Sequence, residues 1–394
     1  MAKTIAAFTT LVFWATSAVA YDLDDWPTHY TFSDGTDIAL IGVYRYDSND
    51  FSNDQLQNGR DLFVDSHTNR RKEFGLTLKK NGLYDAIVDY EFQGKTWLDV
   101  FLRFQSKAFL GADYGAFRFG YSKTVVGFEG ATSTKADTFL ELALPSQAFY
   151  EGRRTGIDWY FERPQFVVNT GYYWGQDLLG DNDGTTLAGR VAWTPRKAEG
   201  HVIHLGIAAS TEHRESTVDG RDIERPPSLR ISTPPEAGLT PIRLVDTGTL
   251  TNADHVSRRG LEALWIEGPW SLQGELLREN VERFGGKPDF TGDGFYVFGS
   301  WVLTGESRPY SQGNVRNLKP KGAWGAWELL LRYSEIDLND APVLGGKEHD
   351  WTLGANWYLT DHFKFQANYI WATSDRGNLP LDPRIFELRV QIGF

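Results

Sequence analysis

The sequence predicts an all-β fold, a transmembrane antiparallel β-barrel of about 16 strands, and three observations lead to this prediction. Apolar and polar residues alternate over many segments of about ten residues. Tight turns alternate with long polar stretches along the chain. Beyond the N-terminal segment, no apolar run reaches the roughly 20 residues that a membrane helix needs, although aromatic residues make up 14% of the chain.

The clearest strands lie at the C-terminal end. Between residues 363 and 371 every odd-numbered residue is apolar, and the residues between them begin with the polar Lys364, Gln366 and Asn368. The same alternation runs through 327–334, 351–359 and 386–394, and it gives each strand one apolar and one mostly polar wall. Alternation places six side chains on the polar wall, where they would wet a lumen: Arg332, Lys364, Gln366, Asn368, Glu387 and Arg389.

Similar segments recur upstream and bring the total to about sixteen strands. We place them near 37–47, 71–80, 83–92, 96–105, 115–121, 155–162, 165–174, 185–194, 201–210, 256–266, 270–282 and 293–304. A soluble β-sandwich or propeller would alternate in the same way. Aromatic residues near the ends of the apolar faces favour the membrane barrel, because aromatic girdles mark both bilayer interfaces.

The connections also suggest a membrane barrel, because their lengths differ strongly. Asn81-Gly82 and 360–362 make tight turns, which we expect on the periplasmic side. We expect long external loops where the polar stretches run, at 48–70, 122–154, 211–255 and 305–325.

The N-terminal residues predict export. Residues 1–20 combine Lys3, an apolar stretch and Ala18-Val19-Ala20, which is typical of a cleaved signal peptide; an uncleaved membrane helix is the alternative. Residues 21–394 would then form a single barrel domain. The chain has no cysteine, which excludes thiol catalysis and Zn–thiolate or Fe–S centres. Its formal charge of −12 argues against a general nucleic-acid partner.

Six stretches of the chain together carry a family resemblance. They are TSTKADTFLELALPSQAFYEGRRTGI (132–157), RLVDTGTL (243–250), GPWSLQGELL (268–277), GFYVFGSWVLTGESRPY (294–310), GAWELLLRYSEIDL (325–338) and TLGANWYLTDHFKFQANYIW (352–371). In their order and spacing they resemble the phosphate-selective porins of the O and P type. The resemblance runs from about residue 36 to Phe394, and any one stretch would be weak evidence without the others.

This resemblance implies a homotrimer of 16-stranded barrels in the outer membrane of a Gram-negative bacterium. Each barrel would have its own pore and an inward-folded third loop that forms a constriction. The implied function is passive diffusion of anions such as phosphate, pyrophosphate or polyphosphate. The implied partners are lipopolysaccharide, phospholipid and the barrel-insertion machinery, which would read the terminal Phe394 as an assembly signal. No cofactor and no metal are expected.

A pore for such anions needs cations, preferably Arg, because the planar guanidinium matches phosphate oxygens. The segment near 122–154 is too long for a turn, and the resemblance makes it the constriction loop. Its candidate anion contacts are Lys135, Arg153 and Arg154, although nearby glutamates could neutralise them. Surface residues at the junction of loop and strand are the alternative for the two arginines.

Two further groups of cations follow from the resemblance. Arg70 and Arg71, at the start of the second predicted strand, correspond to a lumenal arginine ladder; binding of lipopolysaccharide phosphates is the alternative. Consecutive residues of a strand face opposite sides, so only one of the two should point inward unless the chain bulges there. Arg225, Arg230 and Arg243 lie in a proline-containing stretch that we expect to be an extended loop with further cationic contacts.

Three other hypotheses remain open. A weakly selective general porin would suit a lumen of mixed charge. A barrel enzyme would need a catalytic cluster, and the candidates His201, His204, His213, Ser210 and Asp219 match no known nucleophile motif. The acidic runs 47–54 and 180–184 could bind Ca²⁺, but they lack EF-hand spacing and are more typical of solvated turns.

Overall fold

The computed structural model describes residues 28–56, 58–175, 178, 184–218, 221–376 and 379–394. Within these residues one antiparallel sheet contains sixteen long strands, as the sequence predicts. The expected signal peptide, 1–20, lies outside the described residues. The strands are β1 (Thr36–Ser52), β2 (Ser66–Lys80), β3 (Tyr84–Glu91), β4 (Thr96–Gln105), β5 (Ala116–Lys123), β6 (Arg153–Arg163), β7 (Phe166–Tyr173), β8 (Gly184–Ala198), β9 (His201–Arg214), β10 (Ala253–Glu267), β11 (Trp270–Arg283), β12 (Phe290–Val302), β13 (Ala326–Asp340), β14 (Val343–Tyr358), β15 (Phe363–Arg376) and β16 (Arg384–Gly393).

Short helices and short strands lie in the connections and at the ends of this sheet. Helical turns occupy Lys107–Leu110, Phe128–Ala131, Thr134–Ala136 and Leu144–Phe149. Short strands occupy His29–Thr31, Thr217–Val218, Glu224–Arg225, Ser228–Thr233, Val245–Thr251, Tyr310–Ser311, Asn314–Val315 and Leu379–Leu381. Among the described residues, no helix is long and apolar enough to cross a membrane.

The sheet closes on itself because the last strand pairs with the first. β16 runs antiparallel to β1 from the pair Val43 and Gly393 to the pair Ser52 and Arg384. The backbone N–H of Phe394 donates to the carbonyl of Gly42 over 3.1 Å and extends this ladder to the end of the chain. Closure matters in lipid, where each unpaired backbone group costs several kcal/mol.

The predicted alternation divides the barrel into an apolar outer face and a polar inner face. On β15, Tyr369 and Trp371 are exposed on the outside, whereas Lys364, Gln366 and Asn368 are buried inside. Outer aromatic residues form pairs near both edges of the apolar band. Stacked Trp270/Trp301 and Trp327/Trp357 pairs have centroids 4.7 and 5.1 Å apart, and Tyr333/Trp351 and Tyr369/Trp371 lie nearer the opposite edge.

The connections lie on two rims, because successive strands run in opposite directions. Connections that follow odd-numbered strands form the loop rim, which carries 53–65, 124–152 and 215–252. Those that follow even-numbered strands form the turn rim, with 81–83, 164–165, 199–200, 268–269 and 359–362.

One prediction about the connections is wrong. The stretch 305–325 was expected to be an external loop, but the connection 303–325 follows β12 and therefore lies on the turn rim. Its length suggested a loop, whereas the even number of preceding strands decides its side. It folds into the barrel, where Val315 and Leu318 are buried in apolar clusters.

Candidate functional site

Segments from both rims fill much of the barrel. The connection 124–152, here called the constriction loop, enters from the loop rim and packs on the wall formed by β11, β12 and β13. Phe139 contacts a cluster that includes Tyr296 and Phe298, and Leu144 and Phe149 join a second cluster. The connection 215–252, here called the upper loop, also enters from the loop rim. It contributes Ile231 and Val245 to the second cluster, so the two loops pack together.

Three buried strand arginines fasten the constriction loop to the wall, and we call them the tether arginines: Arg45, Arg332 and Arg389. Arg389 donates to the carbonyl of Leu140 over 2.6 Å, and Arg332 donates to the carbonyl of Glu141 over 3.0 Å. Arg45 pairs with Asp137 at 3.2 Å. All three guanidinium groups already bind groups of the constriction loop, so their role is to position that loop.

Both members of the predicted arginine pair on β2 point into the lumen, because the strand bulges there. In the backbone register between β1 and β2, Arg45 lies opposite Arg71 and Tyr46 lies opposite Asn69. Arg70 therefore has no residue opposite it and is the extra residue of the bulge. The pair lies within β2 and does not open it. Arg70 contacts Glu141 of the constriction loop at 3.3 Å, and Arg71 contacts Glu73 at 2.6 Å. A carboxylate therefore offsets each of the two charges.

The predicted cations of the constriction loop are also engaged. Arg153 pairs with Asp99 at 3.0 Å, and the fully buried Arg154 pairs with Glu151 at 2.8 Å. The Lys135 ammonium donates to the carbonyl oxygen of Phe394, at the end of the chain. Arg153 and Arg154 are the first two residues of β6, beside the end of the constriction loop, whereas the Lys135 contact joins that loop to the C-terminus.

The three predicted cations of the upper loop are exposed near the loop rim. Arg230 pairs with Asp246 over 2.8 Å between Nε and Oδ1. That hydrogen bond helps to lower the pKa of Asp246 to about 2. Arg225 lies in a short hairpin, and Arg243 donates to the carbonyl of Thr240 over 3.4 Å. The expected extended loop holds for 234–244 only, because the segments on either side pair as short strands.

A different set of cations lines a polar cavity of about 160 Å³, which we call the cationic chamber. It lies between the inner face of β4–β8, the constriction loop and the connection 303–325. Its cations are Arg103, Arg118, Lys123, Arg190 and Arg316.

Carboxylates offset three of these five cations. Arg103 contacts Asp85 at 2.8 Å, Arg118 contacts Asp158 at 2.6 Å, and Arg190 contacts Glu262 at 2.8 Å. The chamber therefore keeps an excess of positive charge that comes from its remaining two cations, Lys123 and Arg316.

Lys123 and Arg316 have no carboxylate partner among the described residues. Lys123 donates to the carbonyls of Gly130 and Thr132. Arg316 donates to the Ser311 hydroxyl over 2.8 Å and to the Gln312 side-chain carbonyl over 2.6 Å. Burial lowers the pKa of Arg316, which means that its charged form is poorly solvated. An anion in the chamber would stabilise that charge.

Sequence reasoning missed the chamber for two reasons. Arg103, Arg118 and Arg190 stand on strands, and strict alternation along β4, β5 and β8 could have placed them inside. Arg316 lies in the connection that was placed on the wrong rim. Its approach to Lys123 depends on the three-dimensional path of two irregular segments, for which the sequence gives no periodic signal.

The histidines proposed for a barrel enzyme do not converge. His201 and His213 lie near opposite ends of β9, roughly 40 Å apart at about 3.4 Å per residue. His204 lies between Glu262 and the Tyr310 hydroxyl, at 2.7 Å from each. Asp219 lies outside the described residues, as does most of the acidic run 180–184.

The closed barrel of sixteen strands, with its polar lumen and inward-folded loop, defines the class of outer-membrane porins. A family model described as phosphate-selective porin O and P matches residues 38–394. The chain belongs to this family and is located in the outer membrane of a Gram-negative bacterium.

Two curated relatives are similar in sequence. An uncharacterized protein of Caulobacter vibrioides is 28% identical over 255 residues, which is 60% of this chain and 50% of that protein. Porin O of Pseudomonas aeruginosa is 29% identical over 222 residues, 50% of each chain. The chain thus spans about half the length of the curated relatives it matches.

Solved structures share the fold at low identity. OmpT of Vibrio cholerae has a TM-score of 0.61 at 11% identity, over 92% of this chain and 99% of that one. An anion-selective porin from Comamonas acidovorans has a TM-score of 0.56 at 13% identity, over 91% of this chain and all of that one (100%). At these identities the similarity concerns the fold alone.

Proposed function

We propose that the protein is a passive outer-membrane channel for anions, with phosphate, pyrophosphate or polyphosphate as the solutes. The observation that carries this proposal is the cationic chamber, in which Lys123 and Arg316 lack carboxylate partners among the described residues. The eight cations named from the sequence form an outer approach and a scaffold: Arg70, Arg71, Lys135, Arg153, Arg154, Arg225, Arg230 and Arg243. We also propose a homotrimer and no catalytic activity.

The chamber suits weak binding, which conduction requires. Guanidinium groups donate in a planar fork that matches phosphate oxygens, whereas the Lys123 ammonium acts as a point charge. Three of the five cations are partly offset by carboxylates, so an anion is attracted without being held permanently. Binding that is favourable but weak lets the solute both enter and leave.

The test is planar-bilayer conductance of the purified protein. A KCl gradient gives the reversal potential, and added phosphate then competes with the chloride current. We expect an anion-selective reversal potential and inhibition by phosphate. In the double variant Lys123→Gln/Arg316→Gln, the phosphate concentration for half inhibition should rise about ten-fold or more, because hydrogen bonds to charged groups are lost.

The matched control is Arg196→Gln. Arg196 is an exposed arginine near the turn rim that pairs with Glu267, and its loss should leave inhibition unchanged. Anion selectivity without phosphate inhibition would contradict the phosphate part of the proposal. Cation selectivity of the unmodified protein would contradict it entirely and would favour the alternative, a weakly selective general porin.

A further inference from the structure

A row of charged side chains crosses the outer face of the barrel on the loop-rim side of the apolar band. These residues lie directly opposite one another on six neighbouring strands, β10–β15. Towards the turn rim the next row on the first three strands is apolar, with Leu261, Leu276 and Phe295. The charged row reads Arg259, Arg278, Asp293, Asp337, Lys347 and Asp375.

Two arginines meet at one end of this row. Arg259 and Arg278 are cross-strand partners, and like charges in that position destabilise a sheet. Arg278 is offset by Asp293 at 3.0 Å, between Nη2 and Oδ2. Arg259 is exposed and has no hydrogen-bond or ion-pair partner among the described residues. An anion seated beside both guanidinium groups would remove the repulsion.

Two further carboxylates, Glu335 and Asp337, lie on β13, the strand next to that of Asp293. Glu335 and Asp337 also line the cavity beside the arginines, and Glu335 is engaged with Lys347 at 2.6 Å. Asp337 accepts from the backbone N–H of Asn339 over 2.9 Å. Because both carboxylates lie on β13, three strands away from β10, the β10 end with Arg259 is the part of the row where an anion is favoured.

The charged row opens into a long outer groove. A cavity of about 570 Å³ lies at Arg259 and Arg278, and an apolar groove of about 630 Å³ continues from it towards the turn rim. The two share the three residues Leu261, Leu276 and Phe295. The small residues Ala263 and Gly274 belong to the apolar part, where larger neighbours such as Trp265 and Leu272 stand beside them.

We propose that this outer groove binds a phosphorylated acyl lipid of the outer leaflet. Its phosphate would lie between Arg259 and Arg278, and an acyl chain would lie over Ala263 and Gly274. The loop rim of an outer-membrane barrel faces the exterior, so the charged row is level with the head groups of the outer leaflet. The site is on the lipid side of the wall and is independent of the proposed channel function.

The test is native mass spectrometry of the detergent-purified, lipid-free protein with hexaacylated diphosphoryl lipid A as the probe. We expect one specific lipid per barrel. Arg259→Gln should weaken binding about ten-fold or more, since a hydrogen bond to a charged group is lost. Ala263→Phe fills the groove and should also weaken it. The matched controls, Arg196→Gln and Ala355→Phe, change the same residue types elsewhere on the outer face and should leave binding unchanged.

Three results would overturn the proposal. Equal lipid binding by Arg259→Gln and its control would show that Arg259 does not contact the lipid phosphate. Competition of lipid A by millimolar inorganic phosphate, with no effect of Ala263→Phe, would indicate a site for free phosphate. A change of oligomeric state in Arg259→Gln, without loss of lipid, would make this face an interface between copies. None of these readouts depends on conduction, so the channel proposal is tested separately.

Discussion

Replacing Arg332 with Met should release the constriction loop while leaving the barrel folded. Arg332 is fully buried and joins both inward loops to β13. It contacts Glu236 of the upper loop at 2.6 Å, and it contacts Glu129 of the constriction loop at 3.2 Å. Its third contact is the carbonyl of Glu141 at 3.0 Å. Methionine fills much of the same volume but removes the charge and every donor.

The cost follows from the carboxylates that remain. Removing one partner of a buried ion pair costs about 3–5 kcal/mol, because the other charge stays desolvated. Ser334 and Thr352 still donate to Glu236, so the lower end of this range applies. About 3 kcal/mol corresponds to a change of roughly 100-fold in the equilibrium between the fastened and the released loop. The backbone ladder of β13 is untouched, so the loss falls on the loops.

Single-channel conductance and limited trypsin digestion would measure this release. Arg332→Met should give larger and noisier conductance, and faster cleavage at Lys135, while heat-resistant migration on gels stays as in the unmodified barrel. Arg332→Met/Glu236→Gln should recover part of the loss, because the second change removes a stranded charge. Unchanged conductance and unchanged digestion in Arg332→Met would refute the tethering role.

Two further predictions concern the loop and the barrel seam. Burial opposes ionisation of Glu141, but Arg70 and Arg389 lower its pKa to about 2, so the contact stabilises the loop above about pH 4.5 and is lost as pH falls towards 2. Conductance should rise as the pH falls through this range, and Glu141→Gln should abolish this pH-dependent rise. Gly42→Val should slow assembly, since a Cβ there would lie 2.7 Å from the Phe394 ring and 2.9 Å from a backbone oxygen. The folded fraction on gels would measure this, and Gly189→Val, whose Cβ meets nothing closer than 3.9 Å, should assemble normally.

The strands could be predicted because their signal is local. Over 363–371 and 386–394, hydrophobicity alternates with a period of two, and this alternation shows which side of the barrel wall each residue faces. In a membrane barrel the apolar residues face the lipid, so the two sides can be told apart. The rim on which a connection lies also follows from the sequence, because it depends on whether an odd or an even number of strands precedes it. The length of a connection does not determine its rim, and the prediction for 305–325 was wrong because it relied on length.

The candidate site was less predictable because it depends on contacts between distant segments. Arg70 and Arg71 were identified as lumenal candidates, and the bulge that turns both inward was only a condition of that prediction. That Glu141 offsets Arg70 depends on where the constriction loop packs, whereas Glu73 lies on β2 itself, two residues after Arg71. Lys123 and Arg316 are 193 positions apart in the sequence, by subtraction of their numbers, and no periodicity links them.

The total charge of −12 does not oppose an anion pathway, because the local balance sets the field that a solute meets. Charges on exposed loops are screened over about 8 Å at physiological salt, whereas buried groups are screened much less. Inside the barrel most arginines are offset by a carboxylate within 3.5 Å, as Arg389 is by Asp47. These neutral pairs build the scaffold. Lys123 and Arg316, which form no ion pair with a carboxylate among the described residues, then favour a positive potential in the chamber. Selectivity should therefore respond strongly to these two residues and weakly to charges on the outer loops.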